Sequence, residues 1–80
     1  MIITKEQCKA ARALLNLSRS DLAQISSVSE RTLVDFERGA RNPYQRTLRD
    51  VRAALENGGV TFIDENGGGP GVRLTVGSPD

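Results

Sequence analysis

The chain has 80 residues, of which 38% are hydrophobic, and this suffices for one small domain with a modest core. One cysteine and no histidine exclude an internal disulfide and leave too few ligands for a structural zinc site. The formal net charge is only +1, yet residues 1–58 carry +3 (ten Lys or Arg, seven Asp or Glu) and residues 59–80 carry −2 (one Arg, three Asp or Glu).

A first helix is predicted over residues 5–15. Thr4 is a suitable N-cap, and Gln7 stands three residues later, as in a capping box. Apolar positions recur with helical spacing at Cys8, Ala11 and Leu15. Asn16 follows, and asparagine tolerates the left-handed conformation that often ends a helix.

Two short helical patterns follow within residues 17–43, each opened by a serine. Ser18 is predicted to cap the second helix, and Ser29 the third, which we expect over residues 30–38. A turn of three or four residues joins them. The residues that we expect to face inward are Leu22, Ala23, Val28, Leu33 and Phe36.

A fourth helix is predicted over residues 45–56, after which the apolar period changes from helical to two. Strands are predicted over residues 60–63 and 72–76, with the glycine-rich stretch 64–71 as their connection. The last residues, 77–80, are expected to be disordered.

The predicted fold is mainly α, a small four- to five-helix bundle with a helix-turn-helix, followed by a short C-terminal β-hairpin. We assign residues 1–58 to the helical domain and residues 59–80 to the hairpin and tail. Ala23 is small enough for the close crossing of the two short helices, and the outer face of the second is polar. Spacing alone leaves open an ordinary helical hairpin with a solvated polar face.

From about residue 11 to residue 63 the chain resembles the DNA-binding domains of phage repressors, the XRE or Cro/CI type. The matching segments are ARALLNLSRSDLA, VSERTLVDFERG, ARNP and a helix that starts near TLRDV. The resemblance implies a four- or five-helix bundle that binds operators as a dimer. Two positions depart from the family pattern: Ser27 stands where glycine is frequent in the turn, and Ser26 where a small apolar residue is usual.

The resemblance also places the base-reading residues at the start of the third helix, at Glu30, Arg31, Thr32 and Asp35. Arg31 is the strongest candidate, since a bidentate arginine on guanine O6 and N7 is the commonest specific contact. Glu30 could accept from cytosine N4 or merely favour the helix N-terminus. Asp35 would be repelled by DNA unless it pairs with a base amino group or an arginine.

Phosphate contacts are implied at Ser18, Arg19, Ser29, Arg38, Arg41 and Asn42, because helix N-termini and the following loop present free donors. Any single arginine could equally be a solvated surface charge, but we favour contact for the cluster of Arg38, Arg41 and Arg46. The resemblance further pairs Arg12 with Glu37 as a partly buried structural ion pair.

The function that we expect is a sequence-specific DNA-binding transcriptional regulator, a dimeric repressor of a small bacterial or phage operon that often controls its own gene. Its partners would be a pseudo-palindromic operator in double-stranded DNA and a second copy of the chain, held through the hairpin from Val60 to Val76. Equally, that hairpin could only cap the fourth helix. An antitoxin of a toxin–antitoxin pair, or an anti-activator that binds a regulatory protein, are the alternatives.

We expect no enzyme, no catalytic residue, no metal and no cofactor, because the chain lacks histidine and any pairing of a nucleophile with a base. Glycines 67–69 are not followed by Lys and Ser or Thr, so they are not a P-loop. Neither a signal-peptide pattern nor an apolar run near the roughly 20 residues of a membrane helix is present. We therefore expect a cytoplasmic protein.

Overall fold

Four helices and two strands follow one another in residues 2–75, the part of the chain that this computed structural model describes. They are α1 (Lys5–Leu15), α2 (Arg19–Ser26), α3 (Glu30–Glu37), α4 (Gln45–Gly58), β1 (Val60–Ile63) and β2 (Gly71–Leu74). The predicted mainly α bundle with a C-terminal hairpin is confirmed. Val76 and the tail 77–80, predicted to end the second strand and to be disordered, lie outside the described residues.

The predicted N-caps define the starts of the first three helices. Thr4 Oγ1 accepts from the Gln7 backbone N–H at 3.0 Å, and Gln7 Oε1 accepts from the Thr4 N–H at 2.8 Å. Ser18 and Asp21 form the same reciprocal pair at 2.9 and 3.0 Å. Ser29 caps α3 with a single bond, in which its side chain accepts from the Thr32 backbone N–H. Each such cap contributes about 1 kcal/mol to helix stability.

The two departures from the family pattern are accommodated within the turn after α2. Ser27 adopts the left-handed conformation, with φ at +58°, as glycine would. The buried Ser26 hydroxyl donates to the Leu22 carbonyl at 2.6 Å and accepts from the Val28 N–H at 3.3 Å. A polar group is therefore tolerated at Ser26 because both of its hydrogen-bonding roles are satisfied.

Four predicted boundaries are wrong by one or two residues. α3 ends at Glu37 rather than Arg38, which is its C-cap. α4 continues past the predicted residue 56 to Gly58, because glycine weakens a helix by only about 1 kcal/mol and the chain leaves the helix at Gly59, with φ at +121°. β2 begins at Gly71, which pairs with Ile63 in the antiparallel register, and it ends at Leu74.

One hydrophobic core extends from α1 to the hairpin. Its helical members include the predicted inward-facing residues Leu22, Val28, Leu33 and Phe36, while Ala23 is half-buried against them. Val60 and Phe62 of β1 belong to the same core, with exposures of 2% and 6%. The core is therefore continuous across the predicted boundary at residue 58.

The hairpin is attached to α1 through one buried side chain. Gln7 Nε2 donates to the backbone carbonyls of Ile63 and Gly71, at 3.2 and 2.9 Å, where β1 ends and β2 begins. On the α4 side, the Arg52 guanidinium lies 5.5 Å from the centre of the Phe62 ring. The hairpin thus packs against both α1 and α4, beyond the predicted capping of α4 alone. Within residues 2–75, no helix combines the length and apolarity needed to cross a membrane.

Candidate nucleic-acid interface

The helix α3 has two faces with separate roles. Leu33 and Phe36 are buried, with 1% and 5% exposure, and they anchor the helix to the core. Glu30 and Arg31, at its start, are exposed to solvent. Only three residues separate α2 from α3, so the two helices form the tight helix-turn-helix unit that presents α3 to a ligand.

Two of the predicted base-reading residues contact each other along the outer face of α3. Arg31 Nε donates to Asp35 Oδ2 at 3.2 Å, one helical turn away. The Arg31 side chain is 85% exposed, and that of Asp35 is 16% exposed. The predicted condition for a carboxylate beside DNA, a neighbouring arginine, is therefore met in the structure.

The other predicted base-reading residue, Thr32, contacts a predicted phosphate ligand. Its Oγ1 lies 2.8 Å from Ser29 Oγ, and its backbone N–H donates to the same oxygen at 3.1 Å. The two residues line an open cleft between the helix-turn-helix and the N-terminus of α4. The polar residues that share this cleft with them are Ser27, Arg41, Asn42, Tyr44, Arg46, Thr47 and the acidic Asp50.

Tyr44, Thr47 and Asp50 are cleft residues that the sequence did not assign to the site. Tyr44 is 83% exposed and occupies the N-cap of α4 without any side-chain capping bond. A tyrosine directly after Pro43, where Ser or Asp would ordinarily start the helix, is the signal that was available. Its hydroxyl is a phenolic donor at the rim of the cleft.

The remaining predicted phosphate ligands lie apart from this cleft. Arg38 is exposed at the C-terminal end of α3. At the start of α2, Ser18 is engaged with Asp21, whose pKa is lowered by hydrogen bonds from the Ser18 backbone and hydroxyl. Arg19 Nη1 lies 3.8 Å from Glu37 Oε1. The predicted phosphate ligands therefore lie in three places: at the cleft, at the N-terminus of α2, and, for Arg38, at the C-terminal end of α3. Arg38 is thus separated from Arg41 and Arg46, with which the sequence analysis grouped it.

Arg12 and Glu37 form a bidentate ion pair beneath α3. Arg12 Nη2 lies 2.6 Å from Glu37 Oε1, and Arg12 Nε donates to Oε2 at 2.8 Å. The Glu37 side chain is 1% exposed. Cys8 adds a third donor, its thiol contacting Oε2 at 3.2 Å, and Arg12 Nη1 also donates to the Leu17 carbonyl at 3.1 Å.

This cluster perturbs the acidity of its members. Burial raises the pKa of Glu37, but hydrogen bonds from Arg12 and Cys8 and the nearby positive charges outweigh it, so the net pKa is lowered. Burial, followed by the bond to Glu37, raises the pKa of the Cys8 thiol far above its usual range. Cys8 therefore remains a protonated donor and a poor nucleophile.

No group of three or more Cys, Asp or Glu side chains within residues 2–75 is arranged to hold a metal ion. What the outer face of α3 and the cleft beside it provide is a set of hydrogen-bond donors and acceptors of mixed charge. Such a surface suits recognition of a polar, anionic ligand.

Comparison with known proteins identifies the same segment. The profile of a family described as helix-turn-helix matches residues 9–59, from α1 to the residue that follows α4, which is more than half of the chain. No curated protein matches the chain. The matched family is of the XRE type, whose members are DNA-binding regulators, as the resemblance in sequence implied. The chain therefore belongs to the XRE-type helix-turn-helix family of DNA-binding transcription regulators.

Proposed function

We propose that this regulator is a dimeric repressor of a small bacterial or phage operon and that it also controls its own gene. The observation that carries the proposal is the division of α3. Its inner face is fixed by Leu33, Phe36 and the Glu37 ion pair, while Arg31 projects outward with 85% exposure. A rigidly held helix with a free polar face is what reading base edges in the major groove requires.

We assign base contacts to the start of α3 and phosphate contacts to the surfaces on either side. The proposed base-reading residues are Glu30, Arg31, Thr32 and Asp35. The proposed phosphate ligands are Ser18, Arg19, Ser29, Arg38, Arg41 and Asn42, with Arg46 and Tyr44 added from the cleft. Phosphate contacts fix the register of the protein on DNA, and the bases then supply the specificity.

Weak overall charge supports selective binding over general attraction to DNA. The net charge is +1, and Asp35 balances Arg31 on the reading face itself. One domain of this size reads only a few base pairs, so a second copy is needed to select a site in a genome. A repressor of this kind would act in the cytoplasm, where it meets double-stranded DNA.

The test is binding to the promoter just upstream of the protein's own gene. We expect a mobility shift on an inverted repeat whose half-sites lie about one helical turn, roughly 34 Å, apart. Affinity should fall as salt rises, because each neutralised phosphate releases counterions. Arg41→Ala should reduce the salt slope by about one while leaving the preferred sequence unchanged.

The exposed Arg73 of β2 provides the matched control for that substitution, since it lies on the hairpin and outside the cleft. Arg73→Ala should leave the salt slope unchanged. A chain that binds no DNA at any salt concentration would overturn the proposal. Binding of a regulatory protein in its place would then favour the antitoxin or anti-activator alternative.

A further inference from the structure

We infer that Asp35 is a positioning residue for base recognition, and that the base it serves is guanine. Its carboxylate holds the Arg31 guanidinium by Nε, so that the two terminal nitrogens remain free for the major groove. The inference rests on the proposed function and deepens it, because it names the base class and a residue that acts through another.

The geometry of the pair decides which donors of Arg31 remain available. A guanidinium carries five N–H donors, one on Nε and four on the two Nη atoms. Nε is taken by Asp35 Oδ2 at 3.2 Å. Nη1 and Nη2, at the end of the fork, are not used in this bond, and the side chain that carries them is 85% exposed. Two parallel donors match the O6 and N7 acceptors of guanine, whereas adenine offers one acceptor beside an amino donor.

The exposures of the two side chains fit a fixed acceptor and a projecting donor. Asp35 is 16% exposed and lies close to the helix surface, while Arg31 is 85% exposed. An unrestrained arginine loses considerable rotamer entropy when it docks on a base. Tethering the guanidinium before binding lowers that loss and fixes the direction in which the fork points.

The charge of the pair argues that its role is discrimination. An exposed ion pair at this spacing contributes little to folding stability. Its net charge is zero, so it adds nothing to the general attraction toward phosphates. A carboxylate beside DNA is unfavourable unless it improves a specific contact. The Asp35 carboxylate is bonded to Arg31, so the contact that it can improve is the one between Arg31 and a base.

The experiment starts with sites selected from a random DNA pool by the full chain. Each guanine of the selected site is then replaced in turn by 7-deazaguanine, which lacks the N7 acceptor, and affinity is measured at fixed salt. At one guanine in each half-site, the replacement should weaken the wild type about five- to tenfold and leave Arg31→Ala unaffected. Asp35→Ala should lose most of this discrimination while binding unselected DNA at least as tightly as the wild type.

Two further variants separate positioning from direct contact. Asp35→Asn keeps an oxygen acceptor at the same place and should restore part of the discrimination. The double variant Arg31→Ala/Asp35→Ala should bind the selected site no more weakly than Arg31→Ala alone. If the two losses of affinity for the selected site add in the double variant, Asp35 contacts a base itself and the inference is overturned.

The chain offers a matched control on α4. Arg52 Nε donates to Glu56 Oε2 at 3.1 Å with the same spacing of four residues, away from the cleft. Glu56→Ala should leave guanine discrimination unchanged. If the wild type selects a site in which no guanine shows an Arg31-dependent loss of affinity on replacement, this inference alone is overturned. Failure of the wild type to enrich any site would overturn the proposed function, and this inference with it.

Discussion

At the scale of single residues, Glu37 links three helices through one carboxylate. Arg12 and Cys8 of α1 donate to it, and Arg19 of α2 lies 3.8 Å from it. Since Glu37 is the last residue of α3, these contacts fix the end of α3 against both of its neighbours. The positive charge of Arg12 and the negative charge of Glu37 stabilise each other only while both side chains are present.

Glu37→Gln should therefore destabilise the fold strongly. The substitution replaces one carboxylate oxygen by an NH2 group, which cannot accept from Arg12, and leaves the guanidinium without a counter-charge. Loss of one partner of a buried pair costs about 3–5 kcal/mol. Urea unfolding followed by circular dichroism measures the change. Glu56→Gln, in an exposed pair, should cost less than about 0.5 kcal/mol. Similar losses in the two variants would contradict the buried role of Glu37.

The same carboxylate predicts a loss of stability in acid. The folded state lowers the pKa of Glu37, so its contribution is present above the unfolded value of about 4.3 and is lost as pH falls through the lower, folded value. Asp21 acts in the same direction from the start of α2. The melting temperature should decrease as the pH is lowered below about 5, and this decrease should be shallower in Glu37→Gln. An equally steep fall in that variant would assign the acid sensitivity to other groups.

At the scale of elements, the helix starts could be predicted from sequence and the attachments of the hairpin could not. Capping boxes are local, so Thr4 and Gln7 announce the start of α1 by their spacing. The second role of Gln7, donation to the carbonyls of Ile63 and Gly71, joins residues more than 50 positions apart. No local pattern encodes such a contact.

Removing that attachment should loosen the hairpin selectively. In Gln7→Glu the capping acceptor is kept, but both donors to the hairpin carbonyls are lost, and each buried group left unsatisfied costs about 1–3 kcal/mol. Amide hydrogen exchange across β1 and β2 should accelerate more than exchange within α3. Thr4→Ala, which removes only the cap of α1, serves as the control. Equal acceleration in the two variants would show that the cap of α1, and not the hydrogen bonds from Gln7 to the hairpin carbonyls, holds the hairpin.

At the scale of the whole molecule, the family resemblance predicted the residues of the candidate site, and the structure shows that they lie in separate places. Ser29, Thr32, Arg41 and Asn42 come together at one cleft, while Arg38 and Arg19 lie elsewhere. The sequence could not show this grouping, because it depends on how the loop after α3 returns the chain to α4. The spacing of four residues does allow Arg31 and Asp35 to pair on one helix, but it leaves open which nitrogen of Arg31 donates.

The hairpin is the proposed site of dimerisation, and its exposed apolar residues provide the test. Val60 and Phe62 are buried in the core, whereas Ile63 and Leu74 are 38% and 52% exposed. Within residues 2–75 the sheet consists of β1 and β2 alone, so each strand has one edge that is not paired with another strand. Leu74→Lys in the full chain should convert a dimer into a monomer in light scattering. Ile25→Lys, at a similarly exposed position on α2, is the control. An unchanged dimer in Leu74→Lys would place the contact elsewhere.

The separation of the two faces of α3 has a consequence for redesign. Because Leu33, Phe36 and Glu37 carry the packing, the outer positions 30, 31 and 35 can be exchanged as a set without disturbing the scaffold beneath them. The outer face of α3 could then be replaced while its packing against the core is kept. A chain with a transplanted outer face should melt near the parent temperature and answer to a different operator.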